Sequence, residues 1–479
     1  MREYLHQRLF SQRDYNNIFE GELYKSGIGV RTAKQWSSSM RTYNFTAEAD
    51  IAYRSNNSIG PNLALSQTIR NLLGQEESLA IKGFGSYYWA LRGRLPGDPK
   101  KTDTFKFGID ASLTFPYLHW WGDNHPDGDT RYRVGYKYEN IAGGSNVHNF
   151  SGGVSYYIRP SRLVTHVFTP FSLSVVRMQV GANVNDKTDF AELVRMLAGN
   201  EFVPAVGYEF TYNDYRSTRP VNTMLILEIK ESGNLINAAY TAFGRKWNER
   251  DKKLFNLPFN QFVKLVVELR NKYNLTEQVC IATRLFAGVN MPLGNSDTAP
   301  LSEAFYAGGP NSLRAAGPYA YGPGNFHSFN YNQSIFHSGD VKFEANLELR
   351  FPIVWKIFGA TFLDAGNVWG LYNTSDVLSA EDYALFVEKL GIKEVLKDGI
   401  INNPQLARQI ALGTGAGVRL DLDGLVVRLD LGVGIHAPYQ TYKYAKDGKP
   451  DLTQPITGYF NIPSFFDALR LNFGIGYPF

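Results

Sequence analysis

Strict two-residue periodicity governs the C-terminal part of this chain. Leu469, Leu471, Phe473, Ile475, Tyr477 and Phe479 alternate with Arg470, Asn472, Gly474, Gly476 and Pro478. Upstream, Leu425, Val427, Leu429, Leu431, Val433 and Ile435 oppose Arg428, Asp430, Gly432 and Gly434. Between 410 and 422, Ile410, Leu412, Ala416, Val418, Leu420 and Leu422 oppose Ala411, Gly413, Gly415, Gly417, Arg419 and Asp421. Successive side chains of a strand point to opposite faces, so each segment has one greasy face and one that is small or charged. That grammar suits a barrel whose outside meets lipid and whose inside is polar.

The same test marks strands at 43–54, 60–71, 77–91, 103–116, 130–140, 147–160, 163–178, 202–214, 221–231, 259–272, 275–289, 340–352 and 357–370. With the three C-terminal segments they predict an all-β fold, a 16-stranded antiparallel transmembrane β-barrel, and an even count places both ends on the periplasmic side. Connections support it. Short turns at Lys272-Tyr273-Asn274, Ile353 to Lys356 and Asp423 alternate with long loops at 179–201, 232–258, 290–339, 371–409 and 437–467. The turn 117–129 is long for its side and the loop 55–59 short for its own. Thr188 to Leu197 and Ala380 to Leu390, the latter with Ser379 as N-cap and Gly391 beyond its end, have helical spacing within two of the long loops. Residues 1–41 are expected to form an irregular periplasmic lead-in and 42–479 the barrel. The start MREYLHQRLF has neither the apolar core nor the cleavage site of a signal peptide, which suggests a mature or truncated form.

Composition removes other classes. The 49 Lys+Arg nearly balance 45 Asp+Glu, which argues against a nucleic-acid partner and against a disordered acidic tail. A single cysteine, Cys280, allows no internal disulfide and no cysteine metal cluster. No apolar run reaches the roughly 18 residues of a helical span, whereas a barrel exposes only alternate residues to lipid and escapes hydropathy. Asp123-Asn124-His125-Pro126-Asp127-Gly128-Asp129 begins like a calcium loop but lacks the closing acid and carries His125 where an oxygen ligand belongs, so a polar turn and no metal are expected. GTGAG at 413–417 lies within a strand and is no phosphate loop. There is no GxSxG and no HExxH, and in His327-Ser328 and His337-Ser338 adjacent side chains face apart, so no enzyme and no cofactor are expected.

Two motifs carry more. The loop FYAGGPNSLRAAGPYAYGPG at 305–324 is too apolar for a solvated tip and has one charge, Arg314. After the next strand comes Phe362-Leu363-Asp364-Ala365-Gly366-Asn367-Val368-Trp369. Gly308, Gly309, Ser312, Leu313 and Arg314, then Phe362, Asp364, Gly366, Val368 and Trp369, resemble the paired loop and strand motifs of the outer-membrane assembly-factor superfamily, the BamA/TamA-like bacterial surface antigen barrels. The likeness extends over about 43–479 through GPNLALSQTIRNLLGQEESLAIKG near 60–83, EANLELRFPI at 344–353 and GAGVRLD at 415–421. Ala315 and Ala316 depart from it, standing where the family has glycine and an aromatic. Family members carry POTRA domains before the barrel, which residues 1–41 are too short to supply.

Inside a barrel the loop can fold into the lumen, placing Arg314 against Asp364 with Glu348 or Glu344 as second acceptor, in charge-assisted contacts that a lysine cannot copy. The glycines at 413, 415, 417, 432, 434, 474 and 476 would leave room for it. The resemblance implies an integral protein of the outer membrane of a Gram-negative-type cell that inserts or translocates other proteins. Its partners would be outer-membrane lipids, client outer-membrane or surface proteins, and periplasmic or lipoprotein accessory subunits. It implies a lateral seam between the first and last strands, with Gly474 and Gly476 easing its bending and Tyr477 and Phe479 forming a C-terminal signal. The competing expectation is a transport pore, either a passive channel or a partner-secretion exporter.

Overall fold

The computed structural model describes residues 32–35, 43–54, 58–90, 104–119, 128–141, 145–180, 200–215, 219–317, 320–326, 337–371, 406–422, 426–444, 450–456, 458–462, 469–475 and 477–479. Sixteen long strands run through them: β1 Tyr43–Arg54, β2 Ser58–Arg70, β3 Ser78–Ala90, β4 Thr104–Phe115, β5 Gly128–Ile141, β6 Ser145–Ile158, β7 Val164–Val180 and β8 Glu201–Asn213 in the first half. The second half holds β9 Val221–Ser232, β10 Phe262–Asn274, β11 Cys280–Pro292, β12 Val341–Val354, β13 Ile357–Trp369, β14 Ala411–Asp421, β15 Val426–His436 and β16 Leu469–Ile475. Each pairs antiparallel with the next, giving the transmembrane barrel with long outer loops.

The sheet is inside out compared with a soluble one. Leu63, Leu65, Ile109, Val134, Phe171 and Leu471 are all more than half exposed on its outer face. Glu268, Arg284, Glu344, Asn346, Glu348, Asp364, Arg419 and Asp430 are buried on the inner one. Burying charges and exposing leucines is favourable only where the outer solvent is hydrocarbon and the inner side chains pair with each other.

Some local expectations shift. Lys272 to Asn274 belong to β10, paired with Ala282 to Cys280, and the turn falls after them. There the Thr276 hydroxyl accepts from the backbone N–H of Gln278 at 3.3 Å and of Val279 at 3.0 Å, so turn chemistry outweighs the apolar pattern that suggested a strand from 275. The turn after β4 folds back: Thr130 donates to the Tyr117 carbonyl at 2.8 Å and accepts from the His119 N–H at 2.9 Å. Asp123 to Asp127 and both expected loop helices, 188–197 and 380–390, lie outside the described residues. A helix not expected from sequence, α1, spans Asn234–Ala242 after Gly233 at φ 70°.

The two ends of the sheet are unlike its middle. The described part of β16 pairs with β15 from Val427↔Ile475 to Val433↔Leu469. Among the described residues its other edge has no strand partner. The outer edge of β1 takes a short strand, Thr32–Gln35, from the stretch expected to be irregular, with Thr32 opposite Ala49 and Gln35 opposite Thr46.

Candidate functional site

The segment between β11 and β12 enters the barrel and is fastened at two levels. At the upper level Glu303 accepts from Lys230 of β9 and from Lys264 of β10, the latter at 3.1 Å. The neighbouring Ser302 bonds Glu201 of β8 through its hydroxyl and, at 3.3 Å, through its N–H. Burial alone would push the Glu303 carboxyl up, but the two lysines hold it down at about 2. Phe305 then packs edge-on against Phe286, 6.1 Å between centroids, in a buried cluster with Leu313, Ala316, Tyr321 and Val368.

The tip is folded by its own motif residues. Gly308 and Gly309 sit at φ 108° and 104°, which glycine alone adopts without strain, and a Cβ on Gly308 would collide with the Gly317 carbonyl. Ser312 accepts from the Gly308 N–H at 3.0 Å and donates its own proton to Glu344. The Asn346 amide holds the Ser312 carbonyl at 2.8 Å. With Leu313 buried beside it, the next residue is aimed downward into the lumen.

That residue is Arg314, 0% exposed. Its Nε and one terminal nitrogen each donate to Asp364 of β13 at 2.8 Å, the fork-to-fork geometry expected, and its backbone N–H adds a third bond to the same carboxylate at 3.1 Å. The other terminal nitrogen donates to Glu348 of β12. Phe362, two residues before Asp364 and on the same face, lies flat beneath the guanidinium with 3.6 Å to the ring centroid. Of the two candidate second acceptors, Glu348 takes Arg314. Glu344 takes Ser312 and Arg284, the latter at 2.7 Å, because the tip crosses β12 at the level of Glu348.

The other strand-motif residues shape the path of the loop. Gly366, at φ 159°, lies where a Cβ would meet the Phe343 carbonyl, and Val368 leaves no room for a Cβ on Gly322 of the descending loop. Trp369 donates its indole N–H to Gln409 at 2.8 Å. Gly413 and Gly432 clear the floor under the tip, since side chains there would strike Ala315 and the Arg314 carbonyl.

Phe479 is not where alternation places it. The strand ends at Ile475, Pro478 is buried, and Phe479 is 7% exposed inside the barrel. Its carbonyl accepts from Arg350 at 3.3 Å and its ring lies 5.8 Å from the Arg314 guanidinium. Among the described residues the ladder with β15 runs no further than Ile475, Tyr477 to Phe479 carry no strand, and the last residue turns toward the arginines. Tyr477, 41% exposed, has its ring 4.2 Å from the Arg350 guanidinium. Gly474 faces the lumen and makes space for Arg428, and Gly476 lies outside the described residues.

Around the lock runs a charge network that sequence reading did not single out. Arg284 bridges Glu268 and Glu344, both at 2.7 Å. Glu348 also holds Arg350 at 2.8 Å and Arg419 at 3.3 Å, and Asp430 accepts from Arg419. The available signal was the inner face of each strand, where period two had already put Arg419, Arg428 and Asp430.

A family model for the Omp85 superfamily domain matches residues 205–479. No curated protein matches the chain. Among solved structures, BamA from Haemophilus ducreyi lacking POTRA domains 1-3 superposes on 99% of this chain and 77% of its own, at 12% identity and a TM-score of 0.53. CdiB from Escherichia coli covers 95% of this chain and 68% of its own at 13% identity and a TM-score of 0.44, and CdiB from Acinetobacter baumannii 94% and 65% at 10% and 0.42. The first of these shows a shared barrel fold. The family match takes in more than half of the chain, including β9 to β16, the lumen loop and both motifs that meet at Arg314. This chain belongs to the Omp85 superfamily.

Proposed function

We propose that this protein is an outer-membrane assembly or translocation factor that works through a lateral seam between β1 and β16. The observation that carries the reading is the state of β16: paired with β15 on one edge, with no strand on its other edge among the described residues. A strand whose N–H and C=O groups face hydrocarbon unpaired is a template for another strand, because pairing is the one way to satisfy those groups in lipid. Opening there lets a client strand exchange hydrogen bonds with the edge, which needs neither a cofactor nor catalytic chemistry, and the protein is accordingly not an enzyme.

Arg314, Asp364 and Glu348, with Glu344 fixing Ser312, serve in this reading as the lock of the lumen loop. Gly308, Gly309, Leu313, Phe362, Gly366, Val368 and Trp369 shape its seat. The barrel spans residues 42–479, with the short strand Thr32–Gln35 added at the edge of β1, in the outer membrane of a Gram-negative-type cell. Clients are outer-membrane or surface proteins, with periplasmic or lipoprotein subunits as accessory partners. A simple pore is the weaker reading, since a loop with a buried tip crosses the lumen. In planar bilayers the purified protein should give small, erratic conductance while speeding insertion of an unfolded client barrel into the same lipids. A steady, large conductance without insertion activity would overturn the assignment in favour of a channel.

A further inference from the structure

β16 is gripped from inside the barrel as well as by β15. The Asn472 side-chain amide, at the middle of β16 and opposite Asp430, donates to the backbone carbonyl of Arg314 at 2.7 Å. Gly432 of β15 lets that carbonyl lie directly against the β15–β16 joint, and Arg428 of β15 reaches across to Asn311 of the same loop tip. Past the strand, Phe479 returns to within 5.8 Å of the Arg314 guanidinium and gives its carbonyl to Arg350. One residue therefore faces two ways. The side chain of Arg314 ties the tip to β12 and β13 through Glu348 and Asp364, and its main chain ties the tip to the last strand.

We propose that Asn472 is a positioning residue that couples the lumen lock to the lateral seam, so that β16 swings out readily only once the loop tip has let go. This rests on the seam reading above and adds to it a specific control element. The guanidinium is held by its carboxylates on a neighbouring part of the wall, which fixes where the Arg314 carbonyl sits. A fixed carbonyl holds the Asn472 amide, and with it the centre of a strand that has a single strand partner among the described residues. Coupling of this kind is reciprocal: whatever displaces β16 also weakens the lock by the same factor.

The test measures the seam directly and needs no client. In a Cys280→Ser background, spin labels at Phe45→Cys on β1 and Leu471→Cys on β16, both outward positions, report the distance across the seam in lipid nanodiscs. Protease cleavage within 305–324 reports the loop in the same samples. Asp364→Asn should free the loop and raise the open fraction of the seam by about two- to tenfold, the range of one buried hydrogen bond. Asn472→Leu, which keeps the branched shape and removes the amide, should open the seam by a similar factor and make it insensitive to a further Asp364→Asn. Asn472→Gln should restore part of the coupling. If Asn472→Leu does not fold, Asn472→Ser is read in the same way. The proposal is overturned if Asp364→Asn frees the loop and leaves the seam unchanged, or opens it equally with and without Asn472. Coupled distances in a protein that inserts no client would instead refute the proposed function and leave this coupling standing.

Discussion

Replacing Arg314 by alanine should release the lumen loop while leaving the barrel folded, and the structure sets the size of the effect. The lost guanidinium makes two 2.8 Å bonds to Asp364 and one to Glu348, and it covers the Phe362 ring. The two acids are not equally exposed to its loss. Glu348 keeps Arg350 at 2.8 Å and Arg419 at 3.3 Å. Asp364 keeps the Asn346 amide at 2.9 Å and the backbone N–H of residue 314 at 3.1 Å, but no directly bonded cation among the described residues. Breaking a buried pair and stranding one charge costs about 3–5 kcal/mol, and the retained bonds to Asp364 put this case near 3 kcal/mol. At about 1.4 kcal/mol per tenfold, the loop should open roughly a hundredfold more often. Limited proteolysis of 305–324 in liposomes measures that ratio directly when opening and reclosing are fast compared with cleavage. Adding Asp364→Asn to Arg314→Ala removes the stranded charge and should recover about 1–3 kcal/mol of protection. Arg314→Lys should recover less than the wild-type contact, because an ammonium has neither the fork nor the flat face. Wild-type cleavage rates in a folded Arg314→Ala variant, or a double variant more labile than the single one, would refute the reasoning.

The remaining expectations concern the loop entrance, the C-terminus and the barrel as a whole. The Glu303 carboxyl is held at about 2, below its ordinary 4.5, so its anchorage is complete above about 4.5 and is lost as pH falls toward 2. Pepsin cleavage of the loop should rise across that window in the wild type, while Glu303→Gln should be labile already at its upper end; equal profiles would exclude the anchor. Phe479→Ala should lower the amount of protein reaching the outer membrane and raise loop cleavage together, with Tyr477→Ala milder; normal levels and normal protection in fractionated cells would remove any role for the last residue. An unheated sample should migrate faster than a boiled one in detergent gels, since a closed barrel persists until heated, and identical migration would count against closure.

The strands from β12 onward were legible because a lipid-facing sheet leaves period two unbroken: Leu429 and Leu431 outward, Arg428 and Asp430 inward. Arg314 was legible as the one charge in an apolar loop, and Asp364 through its place between Phe362 and Gly366. Glu348 and Glu344 could not be separated, since they lie four residues apart on one face of β12 and only the depth of the loop chooses between them. Helix α1 was hidden because NLINAAYTA has no charged face. Its Asn237 is held by Lys252 and Gln261, and Asn295 ties in from beyond β11, contacts that no local pattern reports. Glu303 looked like any solvated loop acid until Lys230 and Lys264 came together from adjacent strands. The inward turn of Phe479 escaped because alternation records side-chain spacing and cannot register where the hydrogen-bond ladder stops.

The most direct test of the seam is to tie it shut. With Cys280→Ser as background, a reducible cross-link between cysteines placed on β16 and on the part of the β1 edge that Thr32–Gln35 leaves uncovered should abolish the acceleration of client-barrel folding into liposomes, followed by heat-dependent migration of the client. Reduction should restore it in the same sample. Full activity with the seam demonstrably cross-linked would contradict the account.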